Sequence, residues 1–515
     1  MPAAGWRRLA LAAVLALVVG CAHRAGSADE PCELGEDVVG GAVEPAARDA
    51  VVPGRKKAWE ASFGGEEAAR PAIRARLAGW PRVLAVDPRG LPADDRGFVG
   101  RLARDTWRGL VAFTDRESGL PIDNVRLAAT SVAGDAARVG DYTNVTSIGL
   151  RLLAIVAARE IGLVGRVQAV ALAQRLLATL EGLETHEGFF FNYYDTTSRE
   201  RTSHFVSFVD SSWLTAGLMV LRAAVPELAE PATRLLARQD YRFFWDPATG
   251  RMSHGYWVQR GTRSRFHYGV LYAESRLGSL IAIGRGDVPE AHWFRLARTF
   301  PASCRWQRQP PHGRRAKTVR GTTFFGGWYE WGGTRFVPSW GGSMFEALMP
   351  TLVLDERRWA PASLGTNDVA HATVQRRWAH DVLGLELWGM SPSSTPGNDG
   401  YGEYGVPVLG SLGYAPGPVT PHAAALALAV VPDAALADLR ALAAVPGAWG
   451  DFGLYDAVDP RTGEVAHAYL ALDQAMTFVA AANWLCDGCV QRRFASDPSV
   501  ARVLPMLADE RFFED

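Results

Sequence analysis

Apolar residues recur at helical spacing in successive pairs of segments, and no other property of the chain restricts its fold as strongly. Across 145–162, Ile148, Leu152 and Ile155 fall on one face, and Gly162 is placed to stop the helix. The segment 165–183 follows at once with Val170, Leu177 and Leu180 on one side, so the two make a helical hairpin. The pairing repeats. Segment 207–224 precedes 227–239, and 268–283 precedes 288–300; 368–383, 420–431, 433–445 and 467–485 complete the set. A short β-hairpin is expected near 252–259, where Tyr256, Trp257 and Val258 favour strand.

Helical hairpins without a strict short repeat permit an open solenoid or a closed toroid of about six hairpins. The links at 302–341 and 388–418 are long and rich in glycine and aromatic residues. Ordered loops of that length on a rigid scaffold commonly carry function, and a toroid gathers them around one mouth. The expected fold class is therefore all-α, an (α/α)6 barrel over 91–515 with its Gly/aromatic-rich loops at one mouth.

The first 21 residues read as a targeting segment. Arg7 and Arg8 precede an apolar run over 9–19, which is of signal-peptide length and short for a bilayer span. The run ends Val18-Val19-Gly20-Cys21, which resembles a bacterial lipobox with Cys21 as the lipidated residue. Ala22 follows rather than Asp, so resemblance to Gram-negative lipoproteins implies an exported protein, lipid-anchored through Cys21 in the outer membrane and facing the periplasm or the cell surface. Residues 22–90 lack sustained periodicity and read as a tether. In an exported chain, Cys486 and Cys489 read as a local disulfide, because no second Cys/His pair lies near enough for zinc. Neither a metal nor a cofactor is expected.

Lysine plus arginine (54) nearly balances aspartate plus glutamate (55), which leaves no field to attract nucleic acid and favours a neutral partner. Four stretches then combine carboxylates, rings and glycine, the ingredients of glycoside hydrolysis: two carboxyls flank the scissile bond, and aromatic faces hold the sugars. Asp210 and Trp213 open an apolar helix, although an acid there also serves as a helix cap. Trp328, Glu330 and Trp331 lie between two Gly-Gly pairs, followed by Trp340, Phe345 and Glu346. Asp399, Tyr401, Glu403 and Tyr404 share a glycine-rich loop. Tyr455 and Asp456 precede Asp473 and Gln474, and Asp473 sits inside an apolar helix where an unpaired charge is costly. His254 with Tyr256 and His267 with Tyr268 would instead suit a polysaccharide lyase.

These stretches resemble the glycoamylase-like domain of bacterial endo-β-1,2-glucanases and of the middle part of cyclic β-1,2-glucan synthases. Trp340-Gly341-Gly342-Ser343-Met344-Phe345-Glu346-Ala347-Leu348-Met349-Pro350 is similar to a synthase tract ending Met-Phe-Glu-Tyr-Leu-Met-Pro. Tyr469-Leu470-Ala471-Leu472-Asp473-Gln474 resembles the glucanases' Tyr-Leu-Gly-Ile-Asp-Gln. The resemblance implies hydrolysis of a neutral glucan, β-1,2-glucan first. Asp473, Glu346 and Asp210 are the expected catalytic acids, and the other residues of the four stretches the expected sugar contacts. Two departures stand out. Ser203 and Ser207 replace acids of the glucanase run before Asp210, and Asp456 stands where the synthases have glutamate. A glucan-binding lipoprotein without catalysis, or a lyase on the same barrel, are the alternative readings.

Overall fold

The computed structural model describes residues 71–397 and 400–514. The Cys21 motif and Asp399 lie outside the described residues. Twelve helices among them build a barrel in which outer and inner helices alternate along the chain. The outer members are α1 (Asp95–Ala112), α3 (Arg166–Gly182), α5 (Ala229–Ala237), α7 (Ala291–Arg295), α9 (Leu364–Arg377) and α11 (Pro432–Ala444). The inner members are α2 (Val145–Glu160), α4 (Phe208–Ala224), α6 (Arg276–Arg285), α8 (Met344–Leu348), α10 (Pro421–Ala427) and α12 (Ala471–Leu485).

Composition sorts the two layers. Helices α2, α4 and α12 are apolar nearly all round and almost wholly buried, whereas α3, α5 and α11 keep a polar, exposed face. Around the inner ring α2 packs on α4, α4 on α6, α8 on α10, α10 on α12 and α12 on α2. Arg276 closes the remaining gap by donating from α6 to the Glu346 and Ala347 carbonyls of α8. The toroid rather than the solenoid is what the chain forms.

Inner helices pass to outer ones through short links, and outer ones return through long links that share one mouth. Four of the six returns end in a side-chain cap that starts an inner helix there. Asn144 accepts from Thr146 N at 2.7 Å, Ser207 from Asp210 N at 3.3 Å, and Thr420 from Ala423 N at 3.4 Å. Ser343 and Glu346 form a reciprocal capping box. Side chains in these first turns therefore face one opening.

The all-α expectation needs correction: the returns from outer to inner helices carry ten small antiparallel sheets among the described residues. Asn124–Arg126 pairs with Arg138–Gly140 and with Ala468–Leu470, tying the first return to the last. The expected hairpin at 252–259 is two strands that do not pair with each other. Arg251–Ser253 joins Trp245–Asp246 and His267–Tyr268, while Gly255–Trp257 joins Phe205–Ser207 and Thr262–Arg263. The same pairing shortens the helix expected from 268, which begins at Arg276. Strand 468–470 likewise delays α12 to Ala471.

Residues 71–90, at the end of the segment read as a tether, lie against the barrel. Arg76 pairs with Asp115 at 2.6 Å, Leu77 is buried, and Val86 N donates to the Trp449 carbonyl at 2.8 Å. Cys486 and Cys489 are joined as a disulfide just after α12. No helix among the described residues is long and apolar enough to cross a membrane.

Candidate active site

The inner-helix N-termini surround a cleft of two lobes with volumes of about 310 and 690 Å³. Asn192, Phe205, Val209, Asp210, Glu274, Phe345, Tyr401 and Glu403 line both lobes and form the waist between them. Neither lobe is lined by lysine or arginine. Its chemistry is carboxylate, hydroxyl and ring, which suits an uncharged polyol and offers no counter-charge to an acidic polymer.

Asp210 stands in the first turn of α4, half-buried, and its Oδ1 accepts the Thr146 hydroxyl at 2.7 Å. Ser207 caps the same helix and lines the smaller lobe; Ser203 lines the larger, its Oγ accepting from Phe205 N at 3.0 Å. The positions where the glucanase run carries acids are thus cleft positions filled here by hydroxyls.

Glu274 was not among the expected site residues. It lies just before α6, within Tyr272-Ala273-Glu274-Ser275-Arg276, and the apolar run around it reads as helix interior. Burial, followed by the negative charges of Glu346 and Asp210, pushes its carboxyl up to about 8, so it holds a proton at neutral pH. The available signal was the one applied to Asp473, an acid inside an apolar segment.

Glu346 lines the smaller lobe, yet its oxygens are already occupied. Gly341 N, Ser343 N and the Ser339 and Ser343 hydroxyls all donate to them at 2.9–3.2 Å. These contacts fix the Gly341-Gly342 turn, where Gly342 has φ +77° and a Cβ would meet the Val406 carbonyl at 2.2 Å. The geometry gives Glu346 the task of holding the loop. Asp473 and Asp456 are not on the cleft wall; both are buried beneath it, next to His422.

The aromatic candidates divide. Trp340 lines the smaller lobe, Trp213 the larger, and Phe345 and Tyr401 both, Tyr401 being 36% exposed. Trp328 instead lies under the Arg335 guanidinium, 4.3 Å from its ring centre, and Trp331 packs on Trp378. Glu330 is exposed on the strand beside them, opposite Arg335. That tract is a pair of surface hairpins whose rings pack on neighbouring cations and indoles, so its density of tryptophan marked packing rather than cleft. Tyr404 packs over Gly402 and Gly417; Tyr455 donates to the Leu84 carbonyl at 2.8 Å, and Gln474 to the Leu454 carbonyl at 3.0 Å. None of these three lines either lobe.

Of the lyase candidates, His254 and Tyr268 are held neutral by burial. Burial pushes His254 down to about 3 and Tyr268 well above its ordinary value, while His267 Nε2 faces Asp246 at 2.9 Å. The His254 and Tyr268 rings, tilted to each other with centroids 4.3 Å apart, do line the smaller lobe. Their place is the cleft wall, without the cationic partners that a uronate would require.

Residues 310–498 match the Glycoamylase family, described as a glucoamylase family. The cyclic β-(1,2)-glucan synthase NdvB of Rhizobium meliloti (strain 1021) is 32% identical over 307 residues, 56% of this chain and 10% of that protein. The matched part spans only about a tenth of the synthase's length. An endo-β-1,2-glucanase from Chitinophaga pinensis, solved with sophorotriose and glucose, has a TM-score of 0.60 at 16% identity, covering 81% of this chain and 99% of that one. A β-1,2-glucanase from Parabacteroides distasonis has a TM-score of 0.62 at 17% identity, over 81% of this chain and 60% of that one. At these identities the likeness is one of fold. Residues 310–498 thus carry a glycoamylase-like domain sequence, in a chain homologous to part of a cyclic β-1,2-glucan synthase and folded as the β-1,2-glucanases are.

Proposed function

We propose that the chain is a glycoside hydrolase of a neutral glucan, with β-1,2-glucan as its substrate and Glu274 and Asp210 as the working carboxyls. The observation that carries this reading is the half-buried Glu274, its carboxyl pushed up to about 8, at the waist of a cleft without lysine or arginine, with Asp210 on the same waist. Hydrolysis needs one acid that gives a proton to the departing oxygen and one carboxylate that activates water or attacks the sugar carbon. Glu274 supplies the proton at neutral pH. Asp210, oriented by Thr146, serves the opposite role. Tyr401, Phe345 and Trp340 offer ring faces for the flanking sugars. The relatives that act on β-1,2-glucan support the linkage, and the lysine- and arginine-free walls support a neutral chain.

The test is incubation of the purified protein with linear β-1,2-glucan and with glucans of other linkages, measuring released reducing ends. Release from β-1,2-glucan alone, abolished in Glu274→Gln and Asp210→Asn, is the expected result. Calorimetric binding of the glucan without product would replace hydrolysis by a glucan-binding role, which the serines at 203 and 207 would then explain.

A further inference from the structure

Beneath the cleft, three side chains from separate elements converge. His422 comes from the first turn of α10, Asp473 from the first turn of α12, and Asp456 from the turn between Gly453–Leu454 and Ala457–Val458. One potential ligand atom from each lies within 4.8 Å of the others, and the three residues are only 1–3% exposed.

The hydrogen-bond accounting at this point does not close. Asp456 Oδ2 accepts from Ser394 N at 2.7 Å, but Asp456 Oδ1, Asp473 Oδ2 and His422 Nδ1 have no hydrogen-bond partner. The imidazole tautomer depends on where the Thr420 hydrogen goes. Thr420 Oγ1 accepts from Ala423 N; with its own hydrogen on the Gly389 carbonyl, 3.5 Å away, the His422 Nε2 hydrogen points at Thr420 Oγ1 at 3.4 Å. Nδ1 is left with a lone pair, facing Asp473 Oδ2 at 3.8 Å. Three buried lone-pair atoms converge, and what relieves them is either a proton, which burial and the neighbouring Asp456 favour on Asp473, or a cation between them.

We propose that His422, Asp456 and Asp473 bind a divalent first-row metal ion, Zn²⁺ or Mn²⁺, through one imidazole nitrogen and two carboxylate oxygens. One nitrogen with two hard oxygens is a donor set for these ions and a poor one for Ca²⁺. The 3.8 Å between His422 Nδ1 and Asp473 Oδ2 is close to the roughly 3.4 Å edge of a tetrahedron with bonds of about 2.1 Å. The outer contact is also present, because a ligating histidine normally donates its second nitrogen hydrogen, here to Thr420. The ion would pin α10, α12 and the intervening turn together below Tyr401, whose hydroxyl feels the charges of both aspartates. No spacing rule could expose this set, since its members lie 17 and 34 residues apart.

The experiment is metal titration of the purified, chelator-treated and dialysed protein, read by calorimetry and by melting temperature, with Co²⁺ as an absorbing substitute. One equivalent of Zn²⁺ or Mn²⁺ should bind and raise the melting temperature, and Co²⁺ should give a visible band. Asp473→Asn and His422→Gln should weaken binding beyond the roughly 10–100-fold that losing an outer partner costs, and Thr420→Val should weaken it within that range. The readouts are independent of hydrolysis. Failure of the folded wild-type protein to take up an ion overturns the proposal, and so does wild-type binding in both ligand variants.

Discussion

The Thr146 hydroxyl on α2 donates to Asp210 Oδ1 on α4 at 2.7 Å, so two neighbouring inner helices are joined across the mouth by one bond to a candidate catalytic carboxylate. Hydrogen bonds to charged groups contribute about 1.5–3 kcal/mol. Thr146→Val keeps the shape and removes the donor, so kcat/KM on β-1,2-glucan should fall by about tenfold or more with the fold unchanged. Activity equal to wild type would mean that Asp210 needs no orientation.

Glu274 makes opposite predictions for activity and stability. Its carboxyl moves from an ordinary 4.5 to about 8 on folding, so the folded state binds a proton that the unfolded chain releases. Stability is then full below about 4.5 and falls as pH rises towards about 8. Glu274→Gln removes that dependence and should raise the melting temperature at pH 7.5 and above. The same change should cost about 10²–10⁴ in rate, and the wild-type kcat/KM should decline as pH rises through about 8. Thermal melts and rate profiles over pH 5–9 test both statements.

Helix order was legible where an inner segment is apolar for three or more turns, as in 145–160 and 208–224, whereas Met344–Leu348, five residues long, is too short to show a period. What the periodicity missed were the returns. Val270 bridges to Ala297 and His267 pairs with Ser253, so strands of two or three residues take over segments that read as helix. Such short strands have no periodicity of their own and depend on partners far along the chain.

The site was half legible for the same reason. Asp210, Phe345, Tyr401 and Glu403 come from motif-bearing stretches and meet at the waist, while Trp328, Glu330 and Trp331 fell on surface hairpins. Glu274 carries no surrounding motif; its role arises from burial beside Asp210, a relationship across 64 residues.

Arg276 is the joint between α6 and α8. Its guanidinium is fully buried, pairs with Glu356 at 2.8 Å and also donates to the Ala273, Glu346 and Ala347 carbonyls. Arg276→Met leaves Glu356 buried and unpaired, which should cost about 3–5 kcal/mol in denaturant unfolding. Adding Glu356→Gln should recover part of that loss. Activity should not return with stability, because the guanidinium bonds that tie α6 to the Glu346 and Ala347 carbonyls stay lost.

A close backbone-to-backbone approach between α2 and α4 lies one turn below the Thr146 to Asp210 bond. A Cβ on Gly149 would meet the Trp213 carbonyl oxygen at 2.4 Å, and one on Gly217 would meet the Gly149 carbonyl at 2.4 Å. Both obstacles are helix backbone, so α2 and α4 must separate to admit even a methyl group. Overpacking of this kind costs about 1–3 kcal/mol. The movement also lengthens the 2.7 Å bond above it, since Thr146 and Gly149 share one face of α2. Gly149→Ala should therefore lower the melting temperature and reduce kcat/KM by at least as much as Thr146→Val, measured well below the melting transition. In the Gly149→Ala, Thr146→Val double variant the activity losses should not add, because both remove one contact. Additive losses would show that the glycine crossing acts on the cleft by another route.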